Sequence, residues 1–225
     1  MKLVIVEAGT IEGFTAAWVV TRALKGDCQI VEFAAGDHLP LMTGRDVLIL
    51  GVSFARNQVI SCIKTAAAFK MIDNDFKAKN ELAGIKEVKV NMKQTAARMA
   101  WEYLRCDFRV RIGKEKKQDY AFSSAPWIVD FSTDEKRWKW KEMNPFFVRL
   151  AIEECYGRSF EDWDELATRD LAVVIEQGKT HLTEKQKTQP EKESDHGELV
   201  GGSERIGGTD RGDIGKAPRK NKSKK

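Results

Sequence analysis

Three apolar runs in the first third of the chain each stop at a polar or glycine-rich turn and lead into a helical pattern: LVIVEAGTIEG (3–13), DVLILGVSF (46–54) and FKMIDNDFKA (69–78). Short, nearly continuous apolar strands alternating with helical stripes are what a mostly parallel sheet covered on both faces requires. Two further runs extend the pattern, CQIVEF (28–33) and the alternating KEVKVN (86–91), the latter reading as an edge strand. Thr10 can cap a helix over about 11–25, where Phe14, Ala17, Trp18, Thr21 and Leu24 form one stripe. Helices are also expected over 55–68 and over TAARMAWEYLR (95–105). The predicted class is therefore α/β, a parallel-rich sheet with helices on both faces.

After residue 105 the pattern changes. DFRVRIG (107–113) reads as a short strand, and 113–124 as a polar loop. From about 126 the chain reads as a helical extension in three stretches: PWIVDFSTDEKRWKW, NPFFVRLAIEECYG and FEDWDELATRDLAVVIEQGKTHL. Trp127, Trp138, Trp140 and Trp163 supply the apolar area that would hold this part on the sheet. From about 188 the sequence is rich in Gly, Lys, Glu and Ser with almost no large apolar residue, which predicts a disordered tail over 189–225.

The whole chain of 225 residues carries a net charge of +4, yet KAPRKNKSKK (216–225) holds six basic groups and no acid, so the remainder is net −2. The basic character thus belongs to the tail, which could contact nucleic acid by neutralising phosphates. The four cysteines are scattered without a CxxC pair, which argues against a disulfide framework or zinc site and for a reducing, cytoplasmic setting. No segment approaches the roughly 18 unbroken apolar residues of a membrane span.

In an open α/β sheet, ligands bind just outside the carboxyl ends of the strands. The residues to read there are Glu7, Glu12, Gly51, Asp73, Asn74 and Asp75. Seven blocks now fall in order: GFTAAWVV (13–20), EFAAGDHLP (32–40), GRDVLILGVSF (44–54), MIDNDFKAKNELAGI (71–85), NMKQTAARMAWEYL (91–104), PWIVDFSTDEKRWKWK (126–141) and FEDWDELATRDLAVVIEQGKTHL (160–182). Together, over about residues 1–188, they resemble the small DHH-superfamily phosphoesterases of bacteria and phages. Those enzymes are related to RecJ-like exonucleases, exopolyphosphatases and oligoribonuclease or cyclic-dinucleotide phosphodiesterases.

The resemblance implies two Mg²⁺ or Mn²⁺ ions, held by Asp and His at the strand ends, that activate water against a phosphodiester. Glu7 stands where the first motif has His, and Glu12 where it has Asp, before Gly13. Gly51 replaces the Asp ending the third strand. In the name-giving run Asp73 is kept, while Asn74 and Asp75 replace both histidines, and Asp134 is kept in the following helical block. Asp73 and Asp134 are thus the implied catalytic remnants. Glu7, Glu12, Asp73, Asp75 and Asp134 form a candidate all-carboxylate metal set, and Lys77 and Arg137 are candidate phosphate contacts. The smaller C-terminal domain by which many relatives grip substrate is not expected in 189–225, which lacks the apolar content for it.

Each of these residues also has a plain structural reading. Glu12 suits the positive end of a helix, Glu7 can be solvated, Asp73-Asn74-Asp75 is good turn chemistry, and Asp134 can start a helix. Lys77, Lys79, Lys136, Arg137 and Lys139 can form a solvated face. Three expectations follow. The leading one is a DHH-like protein with a degenerate metal site that binds a nucleotide, short oligonucleotide or other phosphate ligand without the parent activity. The second is an active phosphodiesterase with a carboxylate-only site using Mg²⁺ or Mn²⁺. The third is a structural or interaction protein using the bare fold.

Overall fold

In the computed structural model, which describes residues 1–113, 118–134 and 137–188, the expected strands form one five-stranded sheet, all parallel, in the order β2-β1-β3-β4-β5. They are β1 (Lys2–Glu7), β2 (Cys28–Phe33), β3 (Asp46–Leu50), β4 (Ala68–Asp73) and β5 (Val88–Val90). The chain leaves β1 for β2 on one side, then returns to β3 on the other. The topological switch point, where ligand crevices form in such sheets, therefore lies between β1 and β3.

Alternation along each strand divides the core in two. Val4, Val6, Leu48, Leu50 and Ile72 face one side, where α1 (Ile11–Ala23) and α4 (Ala96–Leu104) contribute Trp18, Val19, Met99 and Ala100. Leu3, Ile5, Val47, Ile49 and Met71 face the other, covered by α2 (Arg56–Thr65) and α3 (Phe76–Glu81) through Val59, Cys62 and Ala78. Both faces being dry explains why these strands read as unbroken apolar runs. Thr10 caps α1 as expected, its hydroxyl accepting from the Gly13 amide at 3.0 Å. Gly13 is where α1 meets the end of β1: a Cβ there would run into the Glu7 carbonyl oxygen.

The second half departs from the sequence expectation in three places. The stretch read as a polar loop contains β7 (Gln118–Phe122), which pairs antiparallel with β6 (Phe108–Ile112) as a separate two-stranded sheet. Its alternation is carried by Tyr120 and Phe122 alone, too little to register as a period. Phe108 and Phe122 pack edge-on against Trp18 at 5.5 and 6.4 Å, which anchors the hairpin on α1. The stretch from 126, read as a helix, is helical among its described residues only as a 3₁₀ turn at Trp127–Asp130. Beyond it, side chains in tertiary contacts govern the backbone: Phe131, Ser132 and Trp138 are buried, and Trp138 stacks edge-on to Phe131 at 5.4 Å. The last stretch is two helices, α6 (Phe160–Thr168) and α7 (Leu171–Thr188), broken at an extended Arg169. Asp170 restarts the helix by accepting from the Ala172 amide at 2.7 Å. The helix α5 (Pro145–Cys155) matches expectation. The predicted disordered tail, 189–225, lies outside the described residues.

The helical part is fastened to α1 by a buried polar cluster. Asp164 accepts from Trp18 Nε1 at 2.8 Å and from Arg22 Nε and Nη2 at 2.9 and 2.7 Å. Burial pushes its carboxyl above the usual range, opposed by the Trp18 and Arg22 bonds. Trp163 donates to Thr15 Oγ1 at 3.1 Å and packs on Phe14 at 4.6 Å. No helix among the described residues is long and apolar enough to cross a membrane.

Two outcomes are expected. Gly13→Ala forces α1 away from β1 and should cost about 1–3 kcal/mol in urea unfolding, as overpacked cores do; an unchanged midpoint would refute the tight helix–strand contact. Burial pushes the Cys106 thiol up to about 12, and the Cys62 thiol up as well. At pH 8 the folded protein should therefore expose only Cys28 and Cys155 to a thiol reagent. Rapid labelling of Cys106 or Cys62 under native conditions would contradict the packing.

Candidate functional site

The carboxyl ends of β1, β3 and β4 open onto a cleft of about 710 Å³ at the switch point. Its floor is the β1–α1 turn from Glu7 to Glu12, Gly51 to Ser53, and Asn74 with Asp75; Phe131, Thr133 and Arg137 close one side. The volume lies within the range of small-molecule sites.

Glu12 is the centre of this arrangement. Its Oε1 accepts from Ser132 Oγ at 2.7 Å. Its Oε2 accepts from Asn74 Nδ2 at 3.3 Å and lies 3.6 Å from Arg137 Nη1. One side chain in the first turn of α1 thus ties together the β4–α3 turn and the segment after the 3₁₀ turn. Ser132 is fully buried and also accepts from the Asp134 amide at 3.1 Å. Arg137 sits between Glu12 and Asp134, with its Nε 3.3 Å from Asp134 Oδ2 but not aligned for a hydrogen bond.

Asp73, at the end of β4, is fully buried and does not line the cleft. Its Oδ2 accepts from Ser53 Oγ at 2.7 Å, and its Oδ1 from the amides of Asn74 at 2.7 Å and Asp75 at 3.0 Å. These bonds shape the turn after β4 and join it to the turn after β3. Asp75 caps α3, accepting from the Lys77 amide at 2.5 Å, while facing the cleft. Glu7 is exposed at the cleft and accepts from Thr10 Oγ1 at 3.1 Å. Asp134 is paired with Arg137 outside the lining, and Lys77 is solvent-exposed, 3.9 Å from Glu81.

Of the candidate residues, the cleft therefore gathers Glu7, Glu12, Asp75 and Arg137, whereas Asp73, Asp134 and Lys77 stand off it. As arranged, this donor set does not fit a two-ion centre. Among the described residues no three His, Cys, Asp or Glu side chains are grouped to hold an ion. The oxygens of Glu12 and Asp73 already accept from Ser, Asn and backbone donors. Gly51 has a positive φ of 66°, and a Cβ there would stand 3.0 Å from Ala96 Cβ. A glycine at this position thus meets a backbone demand, besides offering no ligand.

Ser53, Ser132, Arg149 and Glu153 belong to the site without having been singled out in the sequence. Ser132 meets Glu12 across 120 residues, a separation at which no local pattern signals the partner. No protein-family model matches the chain, and no curated protein matches it. Among solved structures it is similar to the crystal structure of an uncharacterized protein from Helicobacter pylori G27. The two share 11% identity over 83% of this chain and 71% of that one, with a TM-score of 0.42.

The bonding predicts a ranking of stability. Asp73→Ala leaves one hydroxyl and two amides without their acceptor and should cost about 2–4 kcal/mol. Asp75→Ala loses one helix cap and should cost about 1 kcal/mol. Urea unfolding of both variants measures this, and the reverse order would show that Asp73 does not organise the two turns.

Proposed function

We propose that the protein is a DHH phosphoesterase-like binder: it takes a nucleotide, short oligonucleotide or other phosphate-bearing ligand at the switch-point cleft and lacks the parent two-metal hydrolysis. One observation carries this reading. The cleft is open and of ligand size, yet Glu12 is held by Ser132, Asn74 and Arg137 and not grouped with other carboxylates. A two-metal mechanism needs two ions about 3.5–4 Å apart, clamped by shared ligands. Here the carboxylates serve as acceptors that shape the walls. A purely structural use of the fold is disfavoured because side chains do not fill the cleft. On this reading the basic segment 216–225 would add a salt-sensitive contact to nucleic acid.

The test pairs calorimetry with turnover. Mononucleotides, short oligoribonucleotides and cyclic dinucleotides are titrated into the full chain, and hydrolysis is followed with Mg²⁺ or Mn²⁺. Binding without turnover is expected, and Ala34→Trp, which places a bulky ring at the cleft wall, should weaken binding at least about tenfold, or roughly 1.4 kcal/mol. Brisk metal-dependent hydrolysis that disappears in Glu12→Gln and Asp75→Asn would establish an active carboxylate-only phosphodiesterase instead. No binding by any of these ligands would leave the interaction role.

A further inference from the structure

Building on the binding role proposed above, we infer that the ligand's phosphate is held outside the main cleft, in an adjoining basic pocket at the start of α4, with Arg137 as the link between the two. The charge distribution separates them. Glu7, Glu12, Asp75 and Glu153 line the cleft against Arg137 and Arg149, a formal charge of −2. Arg149 Nε already donates to Glu153 at 2.8 Å, and Arg137 faces Glu12 and Asp134 at 3.6 and 3.3 Å. A phosphate in the cleft meets net repulsion, whereas a sugar or base finds hydrogen-bond acceptors.

The adjoining pocket, of about 110 Å³, has the opposite balance. Lys93, Arg98, Arg137 and Lys139 line it against Glu102 and Asp130, a formal charge of +2 among the described residues, or +1 without Arg137, which also borders the cleft. Arg98 forks onto the buried Asp130, and Lys139 donates to the same carboxylate at 2.7 Å, so two cations share one anion. Lys93 stands exposed at the rim. Arg137 borders both cavities, and among the described residues its buried Nε has no hydrogen-bond partner, so its charge is held there by the ion pairs to Glu12 and Asp134. The first turn of α4 carries no acidic residue, so the partial positive charge of the helix end adds to the field. Converging cations beside a helix start provide the charge-assisted bonds that a phosphate takes. The ligand would then lie with its nucleoside part in the carboxylate-lined cleft and its phosphate past Arg137.

The alternative is that Arg98, Asp130 and Lys139 only clamp the 3₁₀ turn onto α4. Calorimetry on the full-length protein decides, using each of the four common 5′-ribonucleotides beside its own nucleoside, and inorganic pyrophosphate. In wild type at least one nucleotide should bind at least about tenfold tighter than its nucleoside. In the double variant Lys93→Gln, Lys139→Gln, which removes both charges without setting a new carboxylate against Asp130, that ratio should fall to near one, with nucleoside affinity unchanged. Arg98 is left in place, so Asp130 keeps a partner and the fold is not put at risk. Pyrophosphate should compete with the nucleotide in wild type and not in the variant. A phosphate advantage that survives the double variant but disappears in Arg149→Gln would place the phosphate in the cleft, overturning the inference while the binding role stands. Pyrophosphate binding that depends on Lys93 and Lys139, with neither nucleotides nor nucleosides bound, would remove the binding role and keep the anion pocket. No binding of any probe to wild type would overturn both.

Discussion

The approach of α1 to the end of β1 sets the geometry on which the rest depends. β1 lies inside the sheet between β2 and β3, and the chain reverses its direction of travel across it. Gly13 allows the helix backbone to reach the Glu7 carbonyl, which a Cβ would forbid. That closeness puts Glu12 over the strand ends, within 2.7 Å of Ser132 and 3.3 Å of Asn74. Without it the β1–α1 turn would not border a cleft, and the segment after the 3₁₀ turn would lose the carboxylate it docks on.

The same helix also receives the second half of the chain. Trp18 and Arg22 on α1 hold Asp164 of α6, and Thr15 accepts from Trp163. Arg98 of α4 does the corresponding work for the 3₁₀ turn through Asp130. Buried ion pairs of this kind add little net stability over apolar replacements, because desolvation offsets their attraction. Breaking one leaves an uncompensated charge, so they narrow the ways in which the C-terminal helices can dock. The apolar contacts of Trp163, Phe14 and Phe108 provide most of the driving force.

The strand-end carboxylates show how residues of catalytic type can be absorbed into structure. Asp73 accepts three hydrogen bonds in a fully buried position, and these join the turns after β3 and β4. Asp75 caps a helix, and Glu12 gathers donors from two other segments. Each carboxylate finds its own donors, which removes the mutual repulsion that five close acidic groups would suffer. Glu12 and Asp75 keep these bonds at the lining of the cleft, while those of Asp73 lie behind it.

What the sequence by itself determined is the parallel sheet, its two covered faces and the edge where a site would form. The reason is local: a strand buried on both faces must be an apolar run, and Thr10 caps α1 within three residues. Glu7, Glu12 and Asp75 were legible as neighbours at one cleft because strand ends in such a sheet face one crevice. Tertiary structure alone decided the rest. Strand β7 shows only two apolar side chains until Trp18 packs against Phe122. After Asp130 the described residues up to Trp140 are not helical, and there Ser132 and Trp138 are buried against partners far along the chain or inside the core. The division between an acidic cleft and a basic pocket arises where Arg98 of α4, Arg137 and Lys139 meet strand-end carboxylates far away in the chain, a proximity that no spacing in the sequence encodes.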